Sequence, residues 1–160
     1  MSDFSYDVII LGAGPAGEVC AGRLADGGLK VAITEEHLVG GECSFYACIP
    51  SKSLLHPEQA LDEAARTAGA AEAVTGTLDV DAVLRHRDEM VNDLDDSKQV
   101  PWLEGKGIAV HRGHARLDGE RRVVVGDDVL DASRAVIVAT GSAWRIPPID
   151  GLAEAAPWTN

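Results

Sequence analysis

The chain has 160 residues, of which 46% are apolar and only 4% aromatic. That length and apolar share suffice for one domain with its own core, without disulfide or metal staples. A formal net charge of −12 argues against nucleic acid and anionic membrane surfaces as partners, since both reward basic faces, and its plain consequence is solubility.

Residues 7–11 are the first expected element, a continuous apolar run of the kind carried by buried parallel strands. Gly12-Ala13-Gly14-Pro15-Ala16-Gly17 follows, and a helix is expected over 15–26. Pro15 suits a first helical position, where its missing N–H would be unpaired anyway, and Gly27-Gly28 stops the helix. Residues 30–34 read as a second buried strand ending at Glu35. This βαβ start implies a right-handed crossover and a parallel sheet. A loop over 36–42 contains Gly40-Gly41. A helix is expected over 43–65, disturbed near Pro50. The Ala-rich stretch 69–76 gives no clear element, and 79–96 reads as a polar, exposed helix with an acidic cap. From Ile108 the period changes. Residues 108–111, 121–125 and 129–131 read as short strands between Gly and Asp turns. Residues 135–139 read as another buried strand, running into Thr140-Gly141-Ser142.

No stretch has the length and apolarity to span a membrane. The first seven residues lack the basic start and apolar run of a signal peptide, so the expected location is cytoplasmic. There a structural disulfide is out of place, and a close cysteine pair points to redox chemistry or metal binding.

The glycine motif suits a dinucleotide site part by part. Gly12 allows the tight turn, Gly14 lets the backbone approach a pyrophosphate, and Gly17 lets helix pack on strand. The helix N-terminus offers free N–H groups and a partial positive charge to phosphates. Glu35, at the end of the second strand, can accept hydrogen bonds from both ribose hydroxyls and repels a 2′-phosphate. Glu36, one residue past the strand, is the second choice for that role.

The second motif is Gly40-Gly41-Glu42-Cys43-Ser44-Phe45-Tyr46-Ala47-Cys48-Ile49-Pro50-Ser51-Lys52. Cysteines five apart on an ideal helix point about 140° apart at 3.6 residues per turn, and a bridge needs Cα atoms within roughly 7 Å. Cys43 is therefore expected at an irregular helix start, with Gly40-Gly41 supplying the freedom. A helix N-terminus also lowers a thiol pKa. Two cysteines do not fill a tetrahedral metal site, and no His or Cys partner stands at a helpful spacing. On the residues alone, the pair is either redox-active or two ordinary buried thiols.

In these segments the chain resembles the pyridine nucleotide–disulfide oxidoreductases, the flavoenzyme family of dihydrolipoamide dehydrogenase, glutathione reductase and mercuric reductase. The family signature G-G-x-C-x-x-x-x-C-x-P-S/K-K is matched throughout by residues 40–52. Gly12, Gly14, Gly17, Glu35 and Ala139-Thr140-Gly141-Ser142 fall in the family's order. Ser44-Phe45-Tyr46-Ala47 departs from the usual V/L-N-V-G and points to a subgroup with a different substrate; Trp144 replaces a usual Pro.

The resemblance implies a doubly wound, Rossmann-like α/β sheet with a small antiparallel β-meander near 115–131, an incomplete FAD-binding domain over 1–160. It implies an FAD-dependent NAD(P)H:disulfide oxidoreductase passing electrons from NAD(P)H through FAD to Cys43–Cys48, and on to a small-molecule disulfide or related acceptor. In that scheme Cys43 is the outer thiol that meets substrate, Cys48 lies against the flavin, and Lys52 sits near flavin N5. Gly12, Gly14 and Glu35 hold the adenosine diphosphate half. The His114-Ala115 backbone contacts adenine, and Thr140, Gly141 and Ser142 make a second FAD contact. The family's NAD(P)H and dimerisation domains lie outside this sequence, and its acid/base pair comes from the partner in a homodimer. The chain is thus expected to be a fragment of such an enzyme, or else a flavin-binding module without turnover of its own.

The remaining candidates read as structure. Cys20 suits a buried helix position, and His56 a surface or packing role. His37, His86 and His111 form no constellation. Trp102, Trp144 and Trp158 suit packing, and the acids over 89–96 a solvated helix face.

Overall fold

The computed structural model describes residues 3–159. Strand β1 (Asp3–Leu11), helix α1 (Pro15–Asp26) and strand β2 (Val31–Glu35) form the expected βαβ start. A π-helical turn (Glu42–Tyr46) precedes α2 (Cys48–Arg66), then α3 (Val80–Met90) and α4 (Val100–Gly105). The chain continues through β3 (Ala109–Arg112), β4 (Ala115–Leu117), β5 (Arg122–Val125) and β6 (Asp128–Val138). The sheet order is β3-β2-β1-β6-β5-β4. Pairings among β3, β2, β1 and β6 are parallel, and those among β6, β5 and β4 antiparallel. The α/β class and the meander over 115–131 are as expected.

Successive side chains on a strand face opposite ways, and β1 is buried on both faces. Val8 and Ile10 join Ala21, Val31, Ile33, Leu103 and Ile108 on the side where α1 and α4 pack. Ile9 and Leu11 join Ala32, Val123, Val125 and Leu130 on the other, covered by the meander. Two-sided burial is the reason β1 reads as an unbroken apolar run. Each of the fully buried Ile9, Ile10 and Ile33 contributes about 1.5–3 kcal/mol by leaving water.

Four elements differ from expectation. First, β1 begins at Asp3, not at residue 7, and β6 is one strand where 129–131 and 135–139 read as two. Both extensions come from the long β1–β6 pairing, which runs from Asp3↔Val129 to Leu11↔Val138 with an irregularity between Tyr6 and Val8. Asp7 sits in that irregularity and accepts from Ser133 Oγ (3.1 Å) and Arg134 Nε (3.2 Å). The polar Ser133-Arg134 step, a strand break by sequence, is thereby bridged at the point where the register shifts by one residue.

Second, the helix over 43–65 breaks at Ala47 (φ −122°, ψ −85°), not at Pro50. Pro50 falls in the first turn of α2, where its missing N–H has no intrahelical partner to lose. Pro57, farther in, is accommodated inside α2. Third, α3 stops at Met90 because Asn92, Asp93 and Leu94 all take positive φ (50°, 53° and 59°), a left-handed turn incompatible with helix. Its acidic cap is as expected: Asp79 accepts from Ala82 N at 3.0 Å. Fourth, α4 was not anticipated; its fully buried Leu103 locks it to the α1 side of the sheet.

Candidate functional site

Strand β1 is joined to β2 through α1 on one side and lies beside β6 on the other, so strand order reverses at the carboxyl end of β1. Open α/β sheets form a ligand crevice at such a point. Here a cleft of about 580 Å³ opens, lined by Gly12, Gly14, Glu35, Ala115, Thr140 and Gly141 among others. These predicted residues, scattered over the whole sequence, meet in one groove. Gly17, Cys43, Cys48, Lys52 and Ser142 do not line it.

The glycines divide the work by space. Gly12 has φ +98°, and a Cβ there would lie 2.4 Å from Ala139 O, so only glycine makes this turn beside β6. A Cβ on Gly17 would lie 2.0 Å from Gly12 O, which is the close helix–strand packing expected of it. Gly14 is the opposite case: a Cβ there would meet no protein atom within 4 Å. Space kept clear over backbone beside a cleft fits a ligand group that approaches the chain itself. Gly14 also caps α1 with no side chain bonding the first N–H groups, and Pro15 and Ala16 line the cleft. The N–H groups and partial positive charge of that helix end suit a phosphate.

Glu35 has backbone partners that the sequence did not announce. Its Oε2 accepts from Ala13 N at 2.7 Å and its Oε1 from His37 N at 2.8 Å. The carboxylate ties the glycine turn to the loop after β2, and each oxygen keeps lone-pair capacity for a ribose hydroxyl. Across the cleft mouth, Glu36 and His114 Nδ1 are 2.8 Å apart. The His114 hydrogen bond holds the exposed Glu36 carboxyl below its ordinary range, with desolvation opposing it and the His114 and His37 charges adding to it. Glu18, in the first turn of α1, is pushed up by burial and then by the Glu35 charge.

The cysteine loop abuts this cleft: a Cβ on Gly41 would lie 2.9 Å from Gly14 Cα. Cys43 sits in the π-helical turn and Cys48 at the first position of α2, so the irregular start expected of Cys43 is present. Both are free, half-buried thiols in this structure. The Cys43 thiol is pushed up, first by its hydrogen bond to Cys48, then by burial and the Cys48 charge, with Lys52 pulling it down. This reverses the expectation that a helix end would lower Cys43, because the Cys48 hydrogen bond and burial outweigh the pull of Lys52. Lys52, one turn after Cys48, is exposed.

Sequence reasoning missed two cleft neighbours. Tyr46 lines both this cleft and a second cavity of about 400 Å³ floored by Phe45, Pro50 and Val91. Its phenol is pushed up by burial, then by Glu42, Glu35 and Asp96. The departure at residues 44–47 was the available signal. Asp96 falls in the 89–96 stretch that reads as a solvated acidic face, yet its side chain is 13% exposed and pairs with Arg112 at 2.6 Å.

The residues set aside behave mixedly. Cys20, within α1, packs against the core, and His56 is exposed on an unbroken α2. His37 lines the cleft. His111 does join a cluster: its Nε2 lies 2.9 Å from Tyr6 Oη and its Nδ1 3.7 Å from Asp128, linking the meander to the parallel strands. Trp102 packs over Gly22, whereas Trp144 and Trp158 are exposed, Trp158 by 95%. Among the described residues no cluster of His, Cys, Asp and Glu could hold a metal, and no helix is long and apolar enough to cross a membrane.

Residues 6–158 match the family model described as pyridine nucleotide-disulphide oxidoreductase. A dihydrolipoyl dehydrogenase from Acholeplasma laidlawii is 32% identical over 94% of this chain and 45% of its own length. A mercuric reductase from Acidithiobacillus ferrooxidans is 32% identical over 96% of this chain and 29% of its own length. Among solved structures, the HOCl-induced flavoprotein disulfide reductase RclA from Escherichia coli superposes with a TM-score of 0.72 at 27% identity, over 92% of this chain and 31% of that one. The chain thus spans less than half the length of these relatives.

Proposed function

Because the chain belongs to the pyridine nucleotide-disulphide oxidoreductase family, we propose that it is the FAD-binding part of an NAD(P)H-dependent disulfide oxidoreductase working through Cys43 and Cys48. The observation that carries this reading is the junction of cleft and cysteine loop. Gly41, two residues before Cys43, touches Gly14 at the helix end that would receive a pyrophosphate. A dinucleotide laid from Ala115 and Glu35 past Gly14 therefore ends beside the cysteines.

The residues present fit FAD. Gly14 leaves its approach open, the uncapped end of α1 would hold the pyrophosphate, Glu35 the ribose, and the 113–115 and 140–141 segments the remainder of the adenosine half. FAD, when bound, supplies two-electron transfer between a nicotinamide and a disulfide. The chain's own part is the dithiol. Cys43 and Cys48 lose two protons and two electrons on forming their disulfide and regain them on reduction. Cys43, the outer thiol, attacks one sulfur of an acceptor disulfide and releases the other as a thiol. Cys48 then displaces the acceptor's remaining sulfur from Cys43. Lys52, whose charge favours the Cys43 thiolate, would steady negative charge at the pair and near the flavin. NAD(P)H as donor, a homodimeric and cytoplasmic full-length enzyme, and a small-molecule disulfide or related acceptor complete the proposal.

The test is reconstitution. The purified chain, or a longer protein that contains it, should take up FAD and turn yellow, and Glu35→Ala should weaken adenosine binding by about 1–3 kcal/mol, the scale of a lost charged hydrogen bond. Binding of NAD with no affinity for flavin would refute the assignment. A flavin-binding module without turnover remains the second reading for this chain, favoured by its single glycine-turn site.

A further inference from the structure

Resting on that reading, we propose that Asp96 is a positioning residue. Clamped by Arg112, it fixes the 36–41 loop as the wall that closes on the adenosine half of the dinucleotide. That loop belongs to no helix or strand, yet it supplies Glu36, His37 and Leu38 to the cleft and leads directly into the cysteine turn. Val39 and Gly40 are buried, but Glu36 and His37 are exposed, and exposed loop residues of this kind are mobile unless their backbone is held.

Asp96 supplies the fixing from a distant part of the chain. Its Oδ2 accepts from Val39 N at 2.7 Å and from Arg112 Nη1 at 2.6 Å. Arg112 Nη1 also donates to His37 O at 2.9 Å. Asp96 and Arg112 therefore grip the loop by an N–H and a carbonyl two residues apart. The neighbouring Gly40 N donates to Ala13 O at 2.8 Å, so the gripped backbone is continuous with the glycine turn. Asp96 itself does not line the cleft and acts only through the loop.

The surroundings hold Asp96 for this task. Asp95 accepts from both Ser97 N (2.9 Å) and Ser97 Oγ (2.8 Å), closing the turn that presents Asp96. Burial pushes the carboxyl up, but the Arg112 and Val39 hydrogen bonds and the Arg112 charge together hold it below its ordinary range, which favours the carboxylate that the grip needs. A carboxylate oxygen can accept from a guanidinium and an amide together; an amide side chain keeps one acceptor oxygen but loses the charge.

The test uses the full 160-residue chain with Asp96→Asn and, on the half-exposed partner, Arg112→Lys. FAD and ADP affinities are measured by calorimetry, and backbone amide exchange is followed without ligand. In Asp96→Asn both affinities should fall roughly tenfold, the scale of one lost charge-assisted contact. Amides of Val39 and Gly40 should exchange faster while those of Ile9 and Ile33 in the core keep their protection, a pattern that general destabilisation does not give. Arg112→Lys, which keeps the charge but not the fork, should show a smaller shift of the same kind, and it carries the test if Asp96→Asn does not fold. Unchanged FAD and ADP affinity in a folded variant, or exchange raised equally in the core, would overturn the positioning role and leave the FAD reading standing. If the unsubstituted chain binds neither FAD nor ADP, the reading falls and the inference falls with it.

Discussion

Gly14 and Gly17 are glycines for different reasons, and alanine at each should separate fold from ligand. At Gly17 a Cβ would lie 2.0 Å from Gly12 O, inside any tolerable contact and against backbone that cannot swing aside. Overpacking of this kind costs about 1–3 kcal/mol or more. At 2–4 °C per kcal/mol for a domain of about this size, the melting temperature should drop by roughly 2–12 °C. At Gly14, φ is −75° and a Cβ meets nothing within 4 Å, so alanine strains nothing in the free chain. A small gain of about 0.4–1 kcal/mol from a stiffer unfolded state is offset by the poorer helix cap, about 0.5–2 kcal/mol. The net change in melting temperature should stay within a few degrees. The same methyl, however, would stand where the proposed FAD site brings the pyrophosphate against the chain. Losing one or two charge-assisted N–H contacts, each worth about 1.5–3 kcal/mol, should weaken FAD by tenfold to a thousandfold or more. Thermal unfolding by circular dichroism with and without FAD, alongside flavin fluorescence titration, measures both effects. Normal FAD affinity in Gly14→Ala would refute the pyrophosphate assignment; equal destabilisation by the two substitutions would refute the division of roles.

Three further outcomes are expected. Thiol counts before and after mild reduction of an oxidised sample should differ by two, with Cys43→Ser and Cys48→Ser each abolishing the difference; two titratable thiols persisting under oxidising conditions would sink the redox pair. The chain saturated with FAD should not consume NADH or NADPH in the presence of an aromatic disulfide, because hydride transfer needs a held nicotinamide and His56 is carried away from Cys43 by an α2 that runs unbroken past Pro57; Cys48-dependent consumption above free flavin would make this short chain an enzyme by itself. Asp96 has a lowered folded-state pKa, so the stability it contributes is present above the unfolded value near 3.9 and is lost as pH falls below it; denaturant midpoints between about pH 5 and 2 should fall less steeply in Asp96→Asn, and identical slopes would count against the clamp.

Local patterns with one physical solution were readable in the sequence. An apolar run, three glycines in fixed order, a proline at a helix start and an acid at a strand end admit few structures besides a crossover beside a dinucleotide cleft, and Gly12, Gly14 and Glu35 meet there. What the sequence did not disclose depends on contacts between distant segments. Asp7 is one case: nothing local says that it will bond Ser133 and Arg134 across a register shift and so join two short apolar runs into the single strand β6. Asp96 is another, since Asp95 and Asp96 are the same residue in neighbouring positions. Asp95 spends its carboxylate on its own turn while Asp96 reaches Val39 and Arg112, a difference set by the left-handed turn at 92–94. The cysteine pair lies between these cases. Its spacing forbids a bridge along a regular helix, which located the irregularity, but only the three-dimensional placement shows that the break falls at Ala47 and that Cys48, not Cys43, starts the helix. The direction of the Cys43 shift belongs with them: it comes first from the hydrogen bond to Cys48 and then from burial, and neither contact can be read from the spacing of two cysteines.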